Sequence, residues 1–164
     1  MDSSKDKYTK LARRWLEFFL IKHYAKTHDI KVIIPRGNLS KIDLVEIKRY
    51  PNYSLMDFSS DVVGIITSKK TKKIGLVLLN RSTNAISVKE IGEMNLYSKI
   101  VNPEMAFIVS LKGLPNEVNN LLLNEEICSS LLGYGNKKII ILKLDDKGKV
   151  DSKTIFPRKF KDSF

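Results

Sequence analysis

The chain reads as a single α/β domain, a central mixed β-sheet flanked by helices, and three observations predict this. Two nearly continuous apolar runs, residues 61–67 (Asp-Val-Val-Gly-Ile-Ile-Thr) and 74–79 (Ile-Gly-Leu-Val-Leu-Leu), have the pattern of strands covered on both faces. Helical periodicity alternates with strand runs along the chain. The length, 164 residues with 43% hydrophobic content, suits one core. The expected division is a domain over residues 1–150 and a basic C-terminal tail over 151–164.

The elements follow in order. Residues 4–28 have the spacing of an amphipathic helix, with Tyr8, Leu11, Ala12, Trp15, Phe18, Phe19 and Lys22 on its apolar side and Lys5, Lys7, Lys10, Arg13 and Arg14 on its polar side. Ser3 or Ser4 can cap its start. Residues 30–35 form a short strand closed by Pro35 and Gly37. The stretch 38–60 is ambiguous; residues 43–50 suit a strand, and Pro51-Asn52 turns the chain. A lysine-rich turn, 68–73, joins the two strong strands. Ser87 with Glu90 forms a capping box for a helix whose inner stripe is Ile91, Met94, Tyr97, Ser98 and Val101, stopped by Pro103. Residues 105–111 are a strand, 116–132 a helix stopped at Gly133, and 138–144 a last strand closed by Asp145-Asp146-Lys147-Gly148. From Val150 onward the chain is polar and basic, as in a loosely held tail.

Composition narrows function. There are 29 Lys+Arg against 18 Asp+Glu, a net charge of +11, which favours polyanions through phosphate neutralisation. Tyr50, Tyr53 and Phe58 are candidates for base stacking, although packing is the commoner fate of such rings. No apolar run approaches the roughly 20 residues of a membrane span. The start, Met-Asp-Ser-Ser-Lys, lacks the features of a secretion signal. Cys128 is the only cysteine, so no intrachain disulfide forms and a reducing, cytoplasmic setting is expected. His23 and His28 lack zinc-ligand spacing, Cys128 has no partner histidine signature, and neither a Walker pattern nor a dinucleotide fingerprint is present.

The segments Ser-Asp-Val-Val-Gly-Ile-Ile (60–66), Gly-Leu-Val-Leu-Leu (75–79) and Ile-Ser-Val-Lys-Glu-Ile-Gly-Glu (86–93), in this order of elements, resemble the PD-(D/E)XK (restriction-endonuclease-like) nuclease superfamily, in particular archaeal Holliday-junction-resolvase-like members. The resemblance runs from about residue 8 to 144. It implies a restriction-endonuclease-like core in which an Asp opens one strand and the next strand carries Glu-x-Lys near its end. A helix then often supplies a Gln. Two carboxylates of such a site hold Mg²⁺, which activates water for phosphodiester hydrolysis, and the lysine stabilises negative charge.

On this sequence the resemblance places the opening Asp at Asp61, the strand Glu at Asn80, the Lys at Ser82 and the helix Gln at Glu93, with Arg81 between the altered positions. Asn80 brings no charge and Ser82 no cation. Three readings follow. In the first the chain is a nuclease-like nucleic-acid-binding protein, impaired or inactive in cleavage, contacting phosphates of DNA through Lys10, Arg13, Arg14, Lys69, Lys70, Arg81 and the basic tail. In the second it is an active Mg²⁺-dependent endonuclease whose carboxylate has migrated to Glu93 or Glu17, so that Asp61 and Glu93 hold the metal and Lys89 or Arg81 supplies the cation. In the third the fold serves protein–protein assembly. The resemblance also implies a homodimer, since junction-cutting relatives are symmetric dimers. A literal Glu-x-Lys, Glu46-Ile47-Lys48, lies after Asp29, but no strand fits before it and no capped helix follows, so it reads as a strand with alternating charges. Asp61 could equally cap the entry to its strand, and Glu17 pair with Arg13.

Overall fold

The structure, a computed structural model, describes residues 3–164. Its elements are α1 (Ser3–Tyr24), β1 (His28–Ile33), α2 (Val45–Lys48), β2 (Val62–Ser68), β3 (Ile74–Ser82), α3 (Val88–Val101), β4 (Met105–Ser110), α4 (Asn116–Leu122), α5 (Glu125–Leu132), β5 (Gly133–Tyr134), β6 (Lys137–Lys138), β7 (Ile140–Leu144) and β8 (Val150–Phe156). Six strands form one sheet in the order β1-β2-β3-β4-β7-β8, and β5 pairs with β6 apart from it. The strands β1, β2 and β3 run as an antiparallel meander; β3, β4 and β7 are parallel; β8 returns antiparallel to β7. This is the α/β class with a central mixed sheet that the apolar runs predict.

Both faces of the sheet are covered, which is why β2, β3 and β4 carry apolar residues without alternation. On one face lies α1, whose Tyr8, Ala12, Leu16 and Leu20 pack against Val62, Val77, Leu79 and Phe107. On the other face α3, α4 and α5 bring Ile91, Met94, Leu122 and Leu132 onto Val63, Ile65, Leu76, Leu78 and Ile108. The missing side chain of Gly64 lets α1 sit close: a Cβ there would lie 2.7 Å from Leu20 Cδ1 and 3.2 Å from Val77 Cβ.

The capping box predicted for α3 is formed. Ser87 Oγ accepts the Glu90 N–H at 3.2 Å, and the Glu90 carboxylate accepts the Ser87 N–H at 2.7 Å.

Several elements differ from the sequence expectation. Residues 43–50 hold the short helix α2, not a strand; Val45 is exposed and Ile47 buried. The expected helix over 116–132 is broken into α4 and α5, because the Asn124 side chain accepts the Ile127 N–H and starts a new helix. The expected basic tail is structured. Residues 150–156 form the edge strand β8, with Ile155 and Phe156 buried, and a 3-10 helix, Arg158–Ser163, lays Phe160 and Phe164 against the α1 side of the core. Phe18, expected on the inner stripe of α1, is 70% exposed, because that stripe follows the four-residue spacing of Tyr8, Ala12, Leu16 and Leu20. Among the described residues no helix is long and apolar enough to cross a membrane.

Candidate functional site

The strand ends place the motif positions. Beyond the last register pair of the β2–β3 ladder, Val62 with Leu79, the next residues are Asp61 and Asn80. Here side chains replace the ladder. The Asp61 N–H donates to Asn80 Oδ1 at 3.2 Å, and the Arg81 N–H donates to Asp61 Oδ2 at 2.9 Å. The hydroxyl of Ser60 lies 3.1 Å from Asn80 Oδ1, 3.2 Å from the Leu79 carbonyl and 3.1 Å from the Val62 carbonyl. Its one proton serves one of these acceptors at a time. The carboxamide and the carboxylate therefore close the end of the hairpin, Asn80 accepting the Asp61 N–H and Asp61 accepting the N–H of Arg81, one residue beyond Asn80.

Strand alternation sorts the neighbours. Asn80 and Ser82 continue the face of Leu76 and Leu78, under α3, and Arg81 continues the face of Leu79, under α1. Accordingly Arg81 Nε donates to Thr9 Oγ1 of α1 at 2.8 Å. Ser82 is buried at 8% exposure, opposite the fully buried Ser110 of β4. Ser82 Oγ accepts the Asn84 N–H at 3.2 Å. Ser110 Oγ donates to the Asn84 carbonyl at 2.6 Å and accepts the N–H groups of Lys112 and Gly113. Where the resemblance would put a lysine, the strand ends are pinned by small hydroxyls that satisfy the turning backbone.

The structure brings Asp61, Asn80, Arg81 and Ser82 to one end of the sheet and leaves the other expected residues elsewhere. Glu93 lies on the outward side of α3, its carboxylate 3.9 Å from Lys89 Nζ. Glu17 is on α1, across the sheet from the Asn80 face, and pairs with Arg13 at 3.4 Å. Arg13 also donates from Nε to the Val32 carbonyl, which ties its guanidinium to β1. Lys10 and Arg14 are exposed on α1. Lys69 and Lys70 follow β2 at its far end, about 26 Å from Asp61 at roughly 3.3 Å per strand residue. Lys69 donates there to the Ala25 carbonyl. Glu46 and Lys48 sit on α2 in separate ion pairs, with Lys31 at 2.8 Å and with Asp43 respectively. Lys31 holds the Glu46 carboxyl below its ordinary range. Among the described residues no three His, Cys, Asp or Glu come together as a metal-binding group.

Sequence reasoning missed Ser60, Ser110 and Asn84. Each is a small polar residue at a strand end or just beyond it. The only signal in the chain is their position beside the predicted ends, since Ser and Asn there ordinarily belong to turns.

No protein-family model matches the chain, and no curated protein matches it. Among solved structures it is similar to the MspJI restriction endonuclease in complex with a 27-mer oligonucleotide, at 10% identity and a TM-score of 0.48. That similarity covers 87% of this chain and 26% of the other, so this chain spans about a quarter of that enzyme's length.

Proposed function

We propose that the protein is a nuclease-like scaffold of restriction-endonuclease-like design that binds DNA and does not cut it. The observation that carries this reading is the use of both motif side chains as backbone acceptors at the end of the β2–β3 hairpin, Asn80 for the Asp61 N–H and Asp61 for the Arg81 N–H, with Ser82 two residues beyond Asn80. A PD-(D/E)XK site places its two carboxylates and its lysine at these positions. Here one carboxylate oxygen and the carboxamide oxygen already accept backbone N–H groups, and the third side chain is a buried hydroxyl.

This donor set does not fit Mg²⁺, a hard cation held by one or two carboxylates with waters around it: the single carboxylate has one oxygen committed to the Arg81 N–H, and the neutral carboxamide oxygen beside it is committed to the Asp61 N–H. The carboxylates of Glu93 and Glu17 are engaged with cations on other surfaces. No hydrolytic step is therefore assigned to these residues. The chemistry that remains is binding. The exposed Lys10 and Arg14 on α1, Lys10 beside the Thr9 that accepts from Arg81, supply sequence-independent phosphate contacts.

The test is a parallel binding and cleavage assay on duplex, branched and single-stranded DNA with Mg²⁺ or Mn²⁺. The expected result is binding that weakens steeply with salt, with no strand breakage. The paired variant Lys10→Gln and Arg14→Gln should lower the salt slope of duplex binding by about 1.8, at roughly 0.9 per lost phosphate contact. Cleavage abolished by Asp61→Ala would show a working nuclease instead. Absence of binding to every DNA form would favour an assembly role.

A further inference from the structure

Helix α1 carries a second apolar stripe beside its buried one, half-buried against the core at Trp15 and Phe19 and open at Phe18. It consists of Trp15, Phe18 and Phe19, followed at helical spacing by Lys22 and His23. Phe18 is 70% exposed and Ile21, beside it, 48%. The rings form an ordered array. Trp15 and Phe19 stack at 5.6 Å between centroids and 24° between planes. Phe164 closes a three-ring cluster with them, 5.1 Å and 22° from Phe19 and 6.0 Å and 26° from Trp15. Both α1 rings stand edge-on to the buried Phe107, at 5.3 and 5.5 Å, which fixes their orientation from below.

These rings line a groove of about 430 Å³ whose other walls include Lys22, His23 and Lys149 and no carboxylate side chain. A second groove of about 370 Å³ adjoins it through Phe19, His23 and Phe164 and adds Lys137 and Lys138. Its one acid, Glu104, lies 3.9 Å from Lys137.

We propose that this aromatic, lysine-edged groove is a binding surface for single-stranded nucleic acid. Bases would stack on the exposed Phe18 ring and lie against the Trp15–Phe19–Phe164 cluster beside it, and phosphates would meet Lys22 and Lys149. Flat rings interleaved with cations are what an unpaired strand needs, because every base has a π-face and every linkage a negative charge. Charge argues against a second copy of the chain. An isologous dimer places the same patch on both partners, so Lys22 and Lys149 would face their own copies with no acidic side chain among the groove's lining residues to offset them. The surface belongs to the α1 side of the sheet, whereas Asn80 and Ser82 belong to the α3 side. The inference rests on the nucleic-acid reading above but on different residues.

Trp15 is the only tryptophan in the chain, so its fluorescence reports on this groove directly. Titration with oligo(dT) should quench it saturably, and an abasic oligomer of equal length should quench it far less. Phe18→Ala, at a position too exposed to disturb folding, should weaken oligo(dT) binding about tenfold, within the span expected for losing one stacked base. Lys22→Gln should reduce the salt slope by about 0.7. Phe18 lies one helical turn from Arg14, so the readout that separates failure of this inference from failure of the proposed function is the salt slope of duplex binding, which depends on Lys10 and Arg14 and which Phe18→Ala should leave unchanged. Several results would overturn it: equal quenching by the abasic oligomer, unaltered oligo(dT) affinity in Phe18→Ala, quenching by phosphatidylserine vesicles but not by oligo(dT), or self-association that Phe18→Ala abolishes.

Discussion

Truncating Asp61 to alanine separates its two roles, because the structure assigns its carboxylate to the backbone. Asp61 Oδ2 accepts the Arg81 N–H at 2.9 Å in a half-buried position, where the β2 backbone no longer supplies an acceptor. A hydrogen bond to a charged group contributes about 1.5–3 kcal/mol, and partial exposure puts this one near the lower bound, about 1.5 kcal/mol. For a chain of this size each kcal/mol shifts Tm by roughly 2–4 °C, so Asp61→Ala should melt about 3–6 °C below the wild type. Asp61→Asn keeps an acceptor oxygen and should lose about half as much. The assay is thermal unfolding by circular dichroism with and without millimolar Mg²⁺, which should leave all three curves unmoved. A carboxylate held ready for a metal behaves differently: its removal is neutral or stabilising without metal, and the metal raises Tm only while it is present. An Asp61→Ala protein as stable as the wild type, or a wild-type Tm that rises with Mg²⁺, would refute the hairpin-clamp reasoning.

Two further perturbations test the packing that positions this end of the sheet. Gly64→Ala should cost about 1–3 kcal/mol in urea unfolding, because the added methyl meets Leu20 Cδ1 at 2.7 Å; a companion Leu20→Ala change should remove most of that added cost. Burial raises the Cys128 thiol, with Lys138 opposing the shift, so the thiolate forms only above the ordinary cysteine range. Labelling by a disulfide reagent at neutral pH should therefore be slow and should accelerate as pH rises or as urea opens α5; fast labelling of the folded protein at neutral pH would contradict its placement.

Much of the architecture was legible in the chain, and the exceptions have physical causes. The runs through Val62–Ile66 and Gly75–Leu79 have no polar face, which only a doubly covered strand tolerates, and Ser87 with Glu90 is a local motif needing no tertiary help. The stretch around Val45 and Ile47 was ambiguous because two apolar residues two apart fit a strand as well as one helical turn, and burial of Ile47 decided it. Strand β8 was illegible for the opposite reason. An edge strand needs few apolar residues, and Val-Asp-Ser-Lys-Thr-Ile-Phe buries only its last two. At the site, the expectation that Asp61 and Asn80 share a strand end agrees with the register, since both follow from the lengths of β2, its turn and β3. What the chain could not disclose was where the polar atoms go. That the Asp61 carboxylate answers the Arg81 N–H, and that Ser82 and Ser110 answer the turning backbone, depends on angstrom-level geometry that no spacing encodes. The outward side of α3 at Glu93 was legible only in part, because the helix stripe was known while its rotation over the sheet was not.

The most direct test of a charge-depleted nuclease scaffold is Mn²⁺ binding followed by electron paramagnetic resonance, with and without duplex DNA. No stoichiometric Mn²⁺ site is expected on the protein, and the free-ion signals should be the same for the wild type and Asp61→Ala. A single tight site that Asp61→Ala abolishes would contradict this expectation and return the protein to the working nucleases.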